Sequence, residues 1–171
     1  MPRTSLLIVC GLALALTGCK EKTELRELCA MKKVGERTFE SESLTRAVES
    51  LRRAEESEEI AATLEKKRNE TDERRKSQLA ANLEERTAAE AIPKDDRDAR
   101  RKAILEVTAK EQETQKLADE IAKYYIDIER NEKAAVAARK AAVQLLAPVQ
   151  KQYGVKACPV LAGPAKAAGT P

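Results

Sequence analysis

The sequence predicts an all-α protein, an antiparallel two-helix hairpin or coiled coil with a short extra N-terminal helix. Charged residues make up 36% of the chain, which has only six glycines and six prolines, as in long helices and coiled coils. Three Tyr, one Phe and no Trp leave little material for a thick globular core. A single proline, Pro93, interrupts a long stretch that otherwise favours helix.

Residues 1–18 have the layout of a bacterial export signal. Arg3 precedes an apolar run from Leu6 to Leu16, which ends in small residues. The run is shorter than the roughly 20 residues that a membrane-spanning helix needs. We therefore expect a cleaved signal peptide, with an uncleaved anchor as the alternative.

The end of this leader, Leu16-Thr17-Gly18-Cys19, resembles the lipobox of bacterial lipoproteins. That pattern has an aliphatic residue, a small or β-branched residue, Gly or Ala, and then Cys. The resemblance implies that Cys19 is the lipidation site and first mature residue, with diacylglycerol on its sulfur and an acyl chain such as palmitate on its amine. More than one chain makes membrane anchoring stable. Lys20 in place of Asp after the cysteine further implies the outer membrane, facing the periplasm.

Residues 19–40 are expected to hold the lipid anchor, a short helix and a linker. Thr23 to Val34 can form an amphipathic helix with Leu25, Leu28 and Cys29 on one face. Gly35 is its stop signal.

Residues 41–158 form the predicted hairpin, with its turn near residue 93. The first arm runs from Ser41 to Ile92, where Pro93 ends it. The second arm should reach Ala147 or continue to Tyr153, depending on whether Pro148 ends or only kinks the helix. Mirroring the chain through Pro93 places large residues of the first arm opposite small residues of the second, namely Leu44, Val48 and Leu51 opposite Ala142, Ala138 and Ala135.

The second arm carries a seam of positions at alternating steps of three and four, as in a coiled coil. Ten of its thirteen positions are apolar: Val107, Lys110, Thr114, Leu117, Ile121, Tyr124, Ile128, Asn131, Ala135, Ala138, Ala142, Leu145 and Val149. Asn131 could set the register of the seam or be merely tolerated there. Apolar side chains beyond the seam include Leu105, Val136, Val143 and Leu146. They could be covered by the short N-terminal helix or by a partner.

Two cysteines remain after removal of the leader and lipidation of Cys19. Cys29 lies 64 residues before Pro93 and Cys158 lies 65 after it, so a hairpin folded there brings them to one end. An even pair of cysteines in an exported chain favours a disulfide. We expect a bond between Cys29 and Cys158.

The C-terminal segment and the absence of catalytic motifs limit the functions that the sequence allows. Residues 159–171, rich in Pro, Gly and Ala, predict a disordered tail. The chain has no histidine and no phosphate-binding or nucleophile motif, so we expect no catalytic residue, no metal site and no cofactor. The carboxylates of Glu55-Glu56, Glu58-Glu59 and Asp95-Asp96 are interpreted as solvated helix faces.

Two functions fit these observations. The first is a lipid-anchored, non-enzymatic structural or adaptor protein of the cell envelope that contacts the membrane through its lipid. The alternative is a periplasmic binding module, such as a regulator, chaperone or inhibitor, that contacts a protein partner through the hairpin. Both imply a protein partner or self-association. A formal net charge of +3 with mixed signs gives no nucleic-acid footprint, and no small-molecule substrate is evident.

Overall fold

The computed structural model describes residues 19–163, which are helical apart from short connections. Helix α1 covers residues 19–30, α2 covers Glu42–Ala91 and α3 covers Arg97–Tyr153. A short 3-10 helix follows at Pro159–Leu161. The predicted signal peptide, residues 1–18, lies outside the described residues.

Helices α2 and α3 pack together as a hairpin, which confirms the all-α fold class. Loop residues 92–96 join them, as Pro93 predicts. Pro148 lies inside α3, which continues to Tyr153. The longer of the two predicted arms is therefore the correct one. The charged stretch of residues 65–78 is helical throughout.

The chain divides into two compact units, which are described separately. The disulfide unit contains the described residues up to Glu58 and from Lys133 onward, and the loop unit is Glu59–Glu132. In the disulfide unit, α1 supplies a third layer to the core, because Leu25 and Leu28 are fully buried beside residues of α2 and α3. The largest fully buried side chains of this core are Leu25, Leu28, Val34, Leu44, Leu51, Leu146 and Val160.

Helix α1 ends earlier than predicted. Its last residue is Ala30 instead of Val34, and residues 31–41 form a structured loop in which Gly35 has a φ of +54°. The backbone N–H groups of Val34 and Gly35 donate to the Glu55 carboxylate, at 2.7 and 3.3 Å. These bonds satisfy backbone N–H groups that a longer α1 would have bonded within the helix. The Val34 side chain is buried in the core.

The predicted disordered tail is wrong for its first residues. Pro159 opens a 3-10 helix, and the side chain of Val160 is 1% exposed in the core of the disulfide unit. Composition alone does not reveal this packing. The Pro and Gly content of the segment favours disorder, but one buried valine next to a disulfide is enough to order it. Residues 164–171 lie outside the described residues.

The register of the hairpin also differs from the mirror through Pro93. In the loop unit, Asn82 bonds to Thr114 and Glu85 to Lys110, whereas the mirror would set Asn82 opposite Ile104. In the disulfide unit, Glu58 likewise bonds to Arg139, whereas the mirror would set it opposite Ile128. Register follows the burial of large side chains, and distance from a proline is a poor guide to it.

Candidate functional site

Cys19, the predicted lipidation site, is exposed and has a free thiol. It lies in α1, where the hydroxyl of Thr23 donates to its carbonyl oxygen at 3.0 Å. The other lipobox positions, Leu16 to Gly18, lie outside the described residues. An exposed sulfur is accessible to a modifying enzyme, whereas a buried one would not be.

Cys29 and Cys158 are joined by a disulfide, which confirms the predicted pairing. The bond closes a span of 129 residues. Cys29 lies in α1 and Cys158 immediately before the 3-10 helix, so the bond joins two short segments that flank the hairpin. The nearly equal spacing of the two cysteines around Pro93 predicted the correct bond, although the helix register that it implied is wrong.

A polar junction at Glu21 connects α1 with the ends of both long helices. Its carboxylate accepts hydrogen bonds from the hydroxyls of Ser41 at 2.6 Å and Tyr153 at 2.7 Å, with a longer contact from Ser43 at 3.4 Å. The Ser41 and Tyr153 bonds stabilise the charged form and lower the pKa of Glu21 below its usual value, although partial burial opposes them. The same contact with Glu21 raises the pKa of Tyr153.

A second junction forms around Arg139 of α3. Its Nε and Nη2 donate to the two carboxylate oxygens of Glu58 at 2.7 and 2.8 Å, and its Nη1 donates to the carbonyl oxygen of Val160 at 2.7 Å. The Arg139 side chain is only 13% exposed. A Cβ atom at Gly163 would lie 2.7 Å from Nε, so the close approach of this backbone requires glycine. One guanidinium thus fixes α2, α3 and the 3-10 helix together.

The sequence interpretation missed both junctions, and it treated the Glu55 to Glu59 run as solvated. Glu56 and Glu59 are exposed, but Glu55 and Glu58 are partly buried and hydrogen-bonded. A signal was present, because these two residues follow the buried Leu51 and Ala54 at helical spacing. Their face is the one that packs on the core.

The loop unit has a buried polar contact between its two helices. The Asn82 side chain donates to the Thr114 hydroxyl at 2.9 Å, and the two residues are 7% and 3% exposed. Asn131, which the sequence offered as a register-setting residue, instead donates to the Asp127 carbonyl of its own helix at 2.8 Å. The buried hydrogen bond between the two helices of the loop unit is therefore made by Asn82.

Several apolar side chains of each unit remain exposed. In the disulfide unit these are Val136 and Val143, whereas Leu146, expected beside them, is fully buried. In the loop unit they include Leu83, Leu105 and Ile126. Helix α1 therefore covers only part of the apolar surface that the sequence left unassigned.

The described residues offer no group of three His, Cys, Asp or Glu side chains that could hold a metal ion. None of the helices in residues 19–163 is both long and apolar enough to cross a membrane. Searches against protein families, curated proteins and solved structures find no match to this chain.

Proposed function

We propose that the protein is a lipid-anchored, non-enzymatic lipoprotein of the bacterial cell envelope, attached through Cys19 and located at the outer membrane facing the periplasm. The observation that carries this proposal is the different state of the three cysteines in the described part of the chain. Cys29 and Cys158 are paired, whereas Cys19, the last residue of the lipobox pattern, is free and exposed. Disulfides persist in oxidising compartments such as the periplasm, which agrees with export.

The proposed role is that of a coiled-coil structural or adaptor protein. Seam positions such as Val107, Leu117, Ala135 and Ala142 are buried on α3, at the alternating spacing of a coiled coil. Two interhelical ion pairs form in the loop unit, one between Arg86 and Glu111 and one between Glu85 and Lys110, which is itself a polar seam position. Exposed valines and leucines on the outer faces are available to a protein partner or a second copy.

Lipidation is tested by labelling cells with a palmitate analogue. The Cys19→Ala variant should accumulate as an unlabelled, unprocessed precursor, while Cys10→Ala, which removes the other leader cysteine, should be labelled and processed normally. A labelled mature protein in the Cys19→Ala strain would contradict the lipid anchor.

The second candidate is a periplasmic binding module that regulates, chaperones or inhibits a protein. It is favoured by the exposed Leu83 and Leu105 on the two helices of the loop unit, since such side chains can contact a partner. Cross-linking in intact cells separates the two roles. Stoichiometric recovery of fixed envelope components supports the structural role, and variable, unfolded or transient partners support the binding module.

A further inference from the structure

We propose that the start of α3 carries a docking surface for a bilayer rich in anionic lipid headgroups. This surface, called here the loop patch, is an open concavity lined by four cations and two aliphatic side chains: Lys94, Arg97, Arg100, Arg101, Ile104 and Leu105. All six residues belong to the loop unit. The proposal goes beyond the lipid anchor, because it adds a membrane contact that needs no lipid modification.

The residues of the loop patch share one face of the helix. Arg97, Arg100, Arg101, Ile104 and Leu105 recur at steps of one, three and four, which brings their side chains to the same side. A helix face that combines cations with aliphatic residues is typical of contact with a membrane surface. Leu105 is 61% exposed although it is a large apolar side chain.

The hairpin leaves the cationic start of this face uncovered because α3 extends beyond the end of α2. Glu85 of α2 bonds to Lys110 of α3 at 2.6 Å, so these two residues lie opposite each other. Only six residues of α2 follow Glu85, whereas about twice as many residues of α3 precede Lys110. The excess of α3 is about seven residues, roughly 10 Å at the helical rise. The first turns of α3 therefore have no α2 residue opposite them.

Folding does not account for the four cations. Within residues 19–163, none of their side chains forms an ion pair or a hydrogen bond, although Asp95, Asp96 and Asp98 lie in the same stretch. Asp96 instead accepts a hydrogen bond from the backbone N–H of Ala99 at 3.3 Å. Cations in the first turn of a helix are mildly unfavourable, because the helix dipole is positive there. An external anion offsets this repulsion.

The chemistry of the loop patch favours a membrane over a protein or a nucleic acid as its partner. Two aliphatic side chains cannot supply the apolar centre of a protein interface of standard size, which buries about 800 Å² on each partner. The patch has no aromatic side chain on which nucleic-acid bases could stack. One guanidinium group can bind two oxygens of a lipid phosphate at once. Aliphatic side chains beside it can insert into the headgroup region of the bilayer.

The test uses the chain that begins at residue 19 and carries Cys19→Ser, which leaves every other described residue unchanged and cannot be lipidated. It should float with vesicles of equal parts phosphatidylglycerol and phosphatidylcholine at low salt, and not with pure phosphatidylcholine. Each cation near an anionic surface strengthens binding about fivefold, so Arg97→Gln, Arg100→Gln and Arg101→Gln together should weaken it roughly a hundredfold. Leu105→Ser should weaken binding without changing its salt dependence.

The matched control removes three exposed, unpaired cations elsewhere in the loop unit, by Lys67→Gln, Arg74→Gln and Lys123→Gln. It should bind as the parent chain does, and circular dichroism should show that all variants are equally helical. Equal loss in the control, equal binding to neutral vesicles, or displacement by polyglutamate as effective as by anionic vesicles would overturn the proposal. The lipid-free chain makes this outcome independent of the test of Cys19.

Discussion

The guanidinium of Arg139 holds both carboxylate oxygens of Glu58 and also bonds to the Val160 carbonyl. Because the pair is only partly exposed, at 13% and 26%, loss of one partner leaves a poorly solvated charge. This contact joins three segments of the disulfide unit, so its effect on stability should be larger than that of a surface ion pair.

Arg139→Ala should lower the free energy of unfolding by about 2 kcal/mol, a value reduced for the partial exposure of the pair. Arg139→Lys should recover less than half of this loss, because an ammonium cannot make the paired contact. Urea unfolding followed by circular dichroism measures both. Arg130→Ala, which removes an exposed pair with Asp127, should change stability by less than about 0.5 kcal/mol. Equal effects at the two positions would contradict the role of Arg139.

The disulfide should be a major source of stability. Cys158→Ser opens a loop of 129 residues, which in the chain-entropy model costs about 4–5 kcal/mol. Chemical denaturation of the oxidised protein and the variant gives the difference. Cys19→Ser is the control, and it should leave the midpoint unchanged because Cys19 is free and exposed. A Cys158→Ser variant as stable as the parent would show that noncovalent packing alone holds α1 and Val160.

The buried bond between Asn82 and Thr114 should stabilise the loop unit. Asn82→Ala removes the donor from a site that is 7% exposed, which should cost about 1–2 kcal/mol. Asn131→Ala should cost less, since its bond lies within its own helix. A double-mutant cycle with Thr114→Val isolates the pair, and a coupling energy near zero would mean that the contact adds nothing.

The Glu21 junction should make stability depend on pH. Its pKa is lowered from 4.5, so the carboxylate stabilises the folded state above that pH and the contribution is lost as pH falls through the lowered value. Glu21→Gln should cost about 1 kcal/mol at neutral pH, since the site is partly open to water. The difference from the parent should shrink below about pH 4.5 in acid-unfolding curves. Glu36→Gln, an exposed loop position, should show no such trend.

The two long helices and the break between them could be predicted from the sequence. The long α2 and α3 follow from two long stretches of residues that favour helix, with Pro93 between them. Of the thirteen predicted seam positions on α3, Lys110 is exposed and six are buried, namely Val107, Thr114, Leu117, Ala135, Ala142 and Val149. Helix preference and spacing are local properties of the chain, as is the pattern around Cys19 on which the proposed lipidation depends.

Register and the polar junctions were decided by tertiary structure. An alternating seam accepts several offsets of the opposing helix, and the choice depends on which large side chains, such as Leu146, fit together without voids. Whether Glu58 meets water or Arg139, and whether Pro159–Leu161 is free or packed, depends on segments far apart in sequence. The sequence alone determined the two long helices, because helix preference and the break at Pro93 are local properties, and it paired the two cysteines through their nearly equal distances from Pro93. Only the folded chain determined which charges are buried, because burial is a property of the neighbours that folding brings together.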